Sequence, residues 1–197
     1  HKIAGKTLIE ISIGKIKKFK EIKKIIVVYN KSHKKYLKDI NIKNITLVEG
    51  GNTRSKSTYN ALYYLKKKTK INRVLIHDAA RPNFSRKLIS TIFTASKKKK
   101  TIIPVLKIHD ALKENKTKGE ILHLKRNNFF LTQTPQCFIL DEIFLLHKEF
   151  KNKNNDDDFS LIKKKNNIKL IKGEKKNFKI TNKEDLNLLE RFYKSNL

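Results

Sequence analysis

Short apolar runs alternate with amphipathic stretches along this chain, and that alternation limits the possible folds more than any other feature. Apolar runs that predict strands occur at 24–29, 45–48, 74–76 and 101–108. Stretches with helical periodicity lie around them, at 7–19 and 86–98 and in a stretch that ends near Lys68. Strands joined by crossover helices pair in parallel. The pattern therefore predicts an α/β fold on a parallel sheet.

One predicted strand ends in charged side chains. The run Val74–Ile76 is followed by His77-Asp78-Ala79-Ala80-Arg81-Pro82. Open α/β sheets bind ligands at the carboxyl ends of their strands, where an arginine can grip an anionic substrate while an acid orients it. An isolated Asp-x-x-Arg is also typical of a surface ion pair. The prediction of a site therefore depends on what the rest of the chain brings to this edge.

A second candidate site follows the run at 45–48. The segment Glu49–Ser57 contains Gly50-Gly51 and leads into a helical stretch that ends near Lys68. A glycine loop before a helix lets a ligand approach the backbone, and it offers amide donors to a phosphate or to the edge of a base. Gly-Gly alone is usually only a turn signal.

The second half of the chain predicts a hairpin and further elements of the sheet. A polar stretch at 109–125, flanked by alternating apolar residues, favours a projecting hairpin. Leu131 to Gln136 is a run of small hydrogen-bonding side chains stiffened by Pro135, and a helix is expected at 140–151. Strands are expected at 168–172 and 177–180.

The last helix is expected at 182–193, with a capping box formed by Thr181 and Glu184. This cap would place Lys179 near the sheet edge that carries Asp78 and Arg81.

The only acid cluster, Asp156-Asp157-Asp158, could bind a metal, but acids before the helical stretch 159–165 are better explained by the helix dipole.

The net charge of +29 raises nucleic acid as a partner. The lysines are spread over the whole chain, and aromatic residues do not interleave with the lysine runs as in base-stacking surfaces. We therefore expect a solvated basic surface and no specific nucleic-acid partner.

Arginine is scarce, with six residues, and Arg54, Arg81 and Arg126 each fall in a segment that resembles a site on other grounds.

Length and composition favour one cytoplasmic domain. The chain has 197 residues, 38% of them hydrophobic, which is enough for one sizeable core. A single cysteine, Cys137, excludes an internal disulfide framework and fits a reducing cytosol. No apolar run reaches the roughly 20 residues that span a bilayer. The chain begins with His1 and has no methionine, so we expect that an N-terminal segment is missing.

Five segments together resemble the 2-C-methyl-D-erythritol 4-phosphate cytidylyltransferase family. In chain order they are Gly50 to Leu62, His77 to Pro82, Thr134 to Gln136, Asp157 to Ser160, and Asn177 to Leu186. The resemblance implies a Rossmann-like nucleotidyltransferase fold, with a mostly parallel sheet, helices on both faces and a projecting β-hairpin arm near 108–126. It also implies a homodimer that exchanges this arm, and the third step of the non-mevalonate isoprenoid pathway.

The resemblance also assigns the chemistry. The 4-phosphate of methylerythritol phosphate would attack the α-phosphorus of CTP and release pyrophosphate, with Mg²⁺ held mainly by the CTP phosphates and no metal-ligating residue assigned in this chain. Arg126 and Lys179 would be catalytic, with Arg126 serving the neighbouring subunit's site. The substrate would be bound by Asp78, Arg81 and Thr134, and the nucleotide by Gly51, Asn52, Arg54 and Ser57.

Some features depart from the family pattern. The family's glycine-rich nucleotide loop should precede residue 1, so residues 1–197 alone are expected to be an inactive single domain that lacks this loop. Ala111 stands at a usual threonine, Asp156 at another, and Asn52 at a frequent aspartate. Three alternatives remain: a CDP-ribitol-forming cytidylyltransferase of the same fold, a basic nucleic-acid-binding module, and a catalytically inactive structural partner. Ala79-Ala80 favours methylerythritol phosphate over ribitol phosphate.

Overall fold

The architecture is taken from a computed structural model that describes residues 2–37, 45–117, 119–150, 157–162 and 167–194. The helices are α1 (Leu8–Ile16), α2 (Arg54–Lys68), α3 (Arg86–Ser96), α4 (Leu140–Glu149) and α5 (Lys183–Lys194). The first strands are β1 (Lys2–Ile3), β2 (Lys6–Thr7), β3 (Ile26–Tyr29), β4 (Thr46–Glu49), β5 (Arg73–Ile76) and β6 (Thr101–Lys107). The later strands are β7 (Leu112–Asn115), β8 (Ile121–Leu124), β9 (Phe130–Thr132), β10 (Gln136–Ile139) and β11 (Ile168–Lys172). These elements confirm the predicted α/β class.

The central sheet has the order β11-β6-β10-β5, with β9 paired to β6. Strands β11 and β6 are parallel, whereas β10 runs antiparallel to both of its neighbours. Strands β3 and β4 form a separate parallel pair. The carboxyl end of β5 and the turn between β9 and β10 meet because Gln136 pairs with Ile76. This register brings Thr134 next to Asp78.

Helices cover both faces of the central sheet. Ile102 packs in a cluster with α3, while the next residue on β6, Ile103, packs in a cluster with α2 and α4. Cys137 and Phe138 on β10 divide between the two clusters in the same way. Neighbouring side chains on a strand point to opposite faces, so strands buried on both sides read as continuous apolar runs.

The predicted hairpin is present as β7 and β8, whose pairing runs from Leu112 with Leu124 to Asn115 with Ile121. Most of its side chains are exposed. Within the described residues, none of the helices combines the length and apolar character needed to cross a bilayer.

Three predictions in the second half of the chain differ from the structure. Residues 177–180 form no strand, because their hydrogen bonds go to the Thr134 and Ala80 carbonyls and not to a neighbouring strand. The capping box of α5 is shifted by one residue: the Asn182 side-chain oxygen accepts from the Asp185 amide at 2.8 Å, and the Asp185 carboxylate accepts from the amides of Thr181 and Asn182. The helical stretch expected at 159–165 is a 3₁₀ turn over Phe159–Leu161, and 163–166 lie outside the described residues.

Candidate active site

The loop after β5 is held in one conformation by a threonine from another part of the chain. The Asp78 amide donates to Thr134 Oγ1 at 3.0 Å, and the Arg81 amide closes a turn on the Asp78 carbonyl at 2.9 Å. Thr134 Oγ1 also lies 3.0 Å from His77 Nδ1. The Arg81 carbonyl, 3.1 Å from His77 Nε2, can only accept, so Nε2 carries a proton and donates to it. In the neutral ring, Nδ1 then accepts from the Thr134 hydroxyl.

His77 is neutral in this arrangement. Burial is the largest influence and lowers the pKa of His77 to about 4, against a smaller opposing effect of the Asp78 charge. A neutral ring with one donor and one acceptor fits the two contacts that it makes. His77 therefore shapes the loop and carries no charge at neutral pH.

Three cations from distant segments surround the Asp78 carboxylate. Arg81 Nε lies 3.4 Å and Lys179 Nζ 3.6 Å from Oδ2, and an Arg54 terminal nitrogen lies 3.9 Å from Oδ1. The Lys179 side chain is 45% exposed and Asp78 is 18% exposed, so a ligand can reach both. Three positive charges around one carboxylate leave an excess of positive charge, which suits a phosphorylated substrate.

Lys179 is positioned by its neighbours rather than by a strand. The buried side chain of Asn177 donates to the Thr134 carbonyl at 2.9 Å, and the Ile180 amide donates to the Ala80 carbonyl at 2.8 Å. Arg81 donates to the Asn177 carbonyl at 3.0 Å. The segment that carries Lys179 is thus attached directly to the loop that carries Asp78.

Gln133 strengthens the same attachment. Its buried side-chain amide donates to the carbonyls of Glu174 and Asn177 at 2.9 and 3.1 Å and accepts from the Glu174 amide at 3.0 Å. Sequence reasoning missed Gln133 and Asn177 as positioning residues. Their burial within polar segments gives no signal in a single sequence.

The residues predicted to bind the nucleotide lie together in the turn between β4 and α2. The Gly51 amide donates to Ser57 Oγ at 3.1 Å, and the Thr53 side chain caps α2 by accepting from the Lys56 amide at 3.1 Å. A Cβ at Gly51 would lie 2.1 Å from Lys56 Cγ, so this close approach requires glycine. Asn52 is exposed on the same turn.

Arg54, predicted with this group, has a second role. One of its terminal nitrogens lies 2.6 Å from Asp158 Oδ2, while Asp158 is fully buried. His147 Nε2 contacts the other oxygen of Asp158 at 2.9 Å. Burial alone would raise the pKa of Asp158, but hydrogen bonds from His147 and Arg54 outweigh it and hold the pKa below its usual value.

The acid cluster serves the local structure. Asp157 caps the 3₁₀ turn by accepting from the Ser160 amide at 2.9 Å, and its other oxygen accepts from the side chains of Thr132 and Gln136. Asp156 lies outside the described residues. Asp158 is a buried ion-pair partner of Arg54, 104 positions away in the chain, and sequence reasoning missed this role.

Arg126 lies at the base of the hairpin, where its guanidinium donates to the His109 carbonyl. It is exposed, and its contact is with the hairpin rather than with Asp78 of the same subunit. Of the predicted site residues, Asp78, Arg81, Thr134, Lys179 and Arg54 are brought together, whereas Arg126 is separate from them.

A cavity of about 1130 Å³ lies between β3 and β5. Val27 on β3, Val74 on β5 and Leu62 on α2 are among its lining residues, and so are Arg54 and Asp78. Among the strands that the structure describes, β3 pairs only with β4, and β5 only with β10. Both strands therefore present an unpaired edge to this cavity.

Known proteins are similar to this chain over nearly its whole length. The family model described as "IspD: 2-C-methyl-D-erythritol 4-phosphate cytidylyltransferase" matches residues 1–195. A bifunctional enzyme IspD/IspF of Pelagibacter ubique is 42% identical over 182 residues, which are 92% of this chain and 48% of that protein. The chain thus spans about half the length of that relative.

Two further proteins are similar over most of their own length. The 2-C-methyl-D-erythritol 4-phosphate cytidylyltransferase of Thermosipho melanesiensis is 38% identical over 199 residues, covering 95% of this chain and 86% of that protein. The crystal structure of 4-diphosphocytidyl-2C-methyl-D-erythritol synthase from Anaerococcus prevotii superposes with a TM-score of 0.85 at 28% identity. That match covers 98% of this chain and 91% of the other.

Proposed function

Because the chain belongs to the 2-C-methyl-D-erythritol 4-phosphate cytidylyltransferase family, we propose that it transfers CMP from CTP to 2-C-methyl-D-erythritol 4-phosphate and releases pyrophosphate. The observation that carries this proposal is the convergence of Asp78, Arg81 and Lys179 on one rim of the sheet. Relatives named for this reaction cover nearly the whole chain. A cytoplasmic location is part of the proposal, supported by the single, buried and free cysteine.

The reaction needs positioning and charge neutralisation more than covalent chemistry from the protein. Asp78 and Arg81 hold the hydroxyls and phosphate of methylerythritol phosphate, with Thr134 fixing the Asp78 backbone. Lys179 places the substrate phosphate for in-line attack and lies close to the α-phosphate of CTP. Its exposed ammonium, 3.6 Å from Asp78, is available to a phosphate oxygen.

The turn between β4 and α2 is proposed to read the cytosine. Gly51, Asn52 and Ser57 present amide and side-chain groups at the N-terminus of α2, where neutral donors and the helix dipole suit a polar base edge. Arg54 stands between this turn and Asp78. One residue thus borders both proposed ligands.

Mg²⁺ is the proposed cofactor, held mainly by the CTP phosphates. Among the described residues no group of three or more His, Cys, Asp or Glu side chains could hold a metal ion, and Asp78 is already surrounded by cations. The residues present therefore do not fit a protein-built magnesium site. The roles proposed for Asp78, Arg81 and Lys179 do not depend on a magnesium site built by the protein.

We also infer that residues 1–197 form one domain and that a glycine-rich nucleotide loop of the kind expected for the family would fit beside the cavity between β3 and β5. An extended segment there would pair with both unpaired strand edges and bury apolar side chains against Val27, Val74 and Leu62. A loop following such a strand at the carboxyl end of β5 would lie near Asp78 and Arg54, which also line the cavity.

A homodimer through the arm is proposed because the hairpin and the segment that follows it expose apolar side chains. Ile121, Phe129 and Leu131 are 67%, 42% and 56% exposed. Large exposed apolar side chains near one projecting hairpin favour an interface. A second copy of this chain would cover them and bring the partner's Arg126 to the rim.

Mixed dimers test these assignments together. In the intact enzyme, Lys179→Ala and Arg126→Ala should each abolish most pyrophosphate release from CTP and methylerythritol phosphate. If Arg126 serves the neighbouring subunit, mixing the two variants creates one intact site per heterodimer and restores about a quarter of wild-type activity. No recovery, although heterodimers form, would reject the exchange of Arg126. Absence of turnover in the unmutated intact enzyme would reject the proposed function.

A further inference from the structure

Arg54 lies between two carboxylates of very different character. It is 2.6 Å from the fully buried Asp158 and 3.9 Å from Asp78, which faces the proposed substrate. The shorter contact is a direct, charge-assisted hydrogen bond, whereas the longer one is beyond hydrogen-bonding distance. Asp158 therefore determines where the Arg54 guanidinium lies.

Asp158 is itself held by a series of buried, hydrogen-bonded side chains. His147 Nε2 lies 2.9 Å from Asp158 Oδ1, and His147 Nδ1 lies 3.5 Å from Ser55 Oγ. Asp158, His147 and Ser55 are at most 1% exposed. Because a buried carboxylate without a cationic partner is strongly destabilising, Arg54 cannot leave Asp158 at low cost. These buried side chains join three elements: α2, α4 and the 3₁₀ turn at 159–161.

We propose that Asp158, supported by His147, is a positioning residue that acts through Arg54 on Asp78 and so determines the affinity for the methylerythritol moiety. This inference rests on the proposed function. Asp158 keeps the Arg54 guanidinium near Asp78 but out of direct contact. The Asp78 carboxylate then stays oriented by a positive charge, and its Oδ1, which Arg54 approaches only to 3.9 Å, stays available to a substrate hydroxyl. Without the Asp158 charge, Arg54 pairs directly with Oδ1 and removes this acceptor.

A purely structural role would give different results. In that case Asp158 would only tie α4 and the 3₁₀ turn to α2, and its loss would lower stability without selecting between the two substrates. The chain offers a matched control, because Lys66 on α2 and Asp141 on α4 also form an ion pair, at 2.7 Å, between the same two helices. This pair is exposed.

The kinetic test compares Asp158→Asn with Asp141→Asn in the intact enzyme. Asp158→Asn should raise KM for methylerythritol phosphate about tenfold and KM for CTP by a clearly smaller factor, because Arg54 borders both ligands but the Asp78 carboxylate that it would occupy is proposed to bind only the methylerythritol moiety. Asp141→Asn should leave both values unchanged. If Asp158→Asn does not fold, His147→Gln, which weakens the support of Asp158, should shift KM in the same direction by a smaller factor.

A double-mutant cycle tests the path of the effect. Calorimetric Kd values for methylerythritol phosphate are measured for Asp158→Asn, Asp78→Asn and the double variant. If Asp158 acts through Asp78, the double variant binds no more weakly than Asp78→Asn alone; additive losses would overturn the proposal. Equal changes in both KM values, or no change in a folded Asp158→Asn protein, would also overturn it.

A measurement without substrate separates this proposal from the proposed function. The Arg54 side-chain Nε–H signal should be resolved in the NMR spectrum of the wild type and of Asp141→Asn, and should shift or broaden in Asp158→Asn. An enzyme that does not turn over would reject the proposed function, while this signal would still show whether Asp158 holds the Arg54 guanidinium in place. An Arg54 signal identical in all three proteins would reject the positioning role of Asp158.

Discussion

At the scale of single residues, the site depends on groups whose charge is determined by their surroundings. His77 is the clearest example, since burial of its ring lowers its pKa to about 4 and keeps it neutral at neutral pH. Its position directly before Asp78 was visible in the sequence, but its protonation state was not. That state depends on how the fold buries the ring, which local sequence does not show.

The lowered pKa of His77 predicts a loss of stability in mild acid. The pKa of about 4 in the folded protein lies below the value of 6.5 for an unperturbed histidine, so the unfolded chain binds the additional proton first. The stabilising contribution is complete above pH 6.5 and is lost as the pH falls towards 4. Chemical denaturation should show a steeper decrease over this range in the wild type than in His77→Asn. Equal slopes would contradict a buried neutral ring.

Lys179 is predicted to matter for catalysis and little for stability. Lys179→Ala removes one charge-stabilising donor, which typically costs about 2.7 to 4 kcal/mol of barrier and lowers kcat roughly a hundredfold to a thousandfold. The side chain is 45% exposed, so the unfolding free energy should hardly change. Lys175→Ala, at an exposed lysine of the same segment, is the control and should keep its activity. Steady-state kinetics and thermal melting together would show whether the two effects separate.

At the scale of elements, local sequence predicted helices better than it predicted their ends. The start of α3 at Arg86 and the strand β11 agree with their predicted positions. Residues 177–180 were wrongly predicted as a strand, because their apolar alternation is real but their hydrogen bonds go to Thr134 and Ala80. Such partners, about a hundred positions away in the case of Ala80, leave no mark on local periodicity.

The cap of α5 gives a test at this scale. Asn182→Ala removes the oxygen that accepts from the Asp185 amide, and loss of an N-cap typically costs about 1 kcal/mol. Asn182→Gly should cost only a few tenths of that amount, because glycine is tolerated at this position. Urea denaturation of both variants measures the difference. A larger loss in the glycine variant would show that the side chain is not the cap.

At the scale of the whole molecule, charge is the dominant property. A net charge of +29 on 197 residues is self-repulsive, and salt screens repulsion between exposed charges. We expect the melting temperature to rise between roughly 10 mM and 150 mM NaCl, over which the screening length falls from about 30 to 8 Å. A neutral osmolyte at equal osmolality is the control. A melting temperature that falls with salt would mean that attractive ion pairs outweigh the repulsion.

The contacts of Arg54 explain why arginine is kept at this position in a chain whose cations are mostly lysine. Its guanidinium is near two carboxylates that lie on different elements, and a lysine ammonium has neither the planar fork nor the breadth to satisfy such a geometry. Lysine supplies nearly all the other positive charges of this chain, but it could not replace Arg54. Positions of this kind should resist further drift in composition, so a conservative-looking exchange of Arg54 for lysine would be among the least tolerated in the molecule.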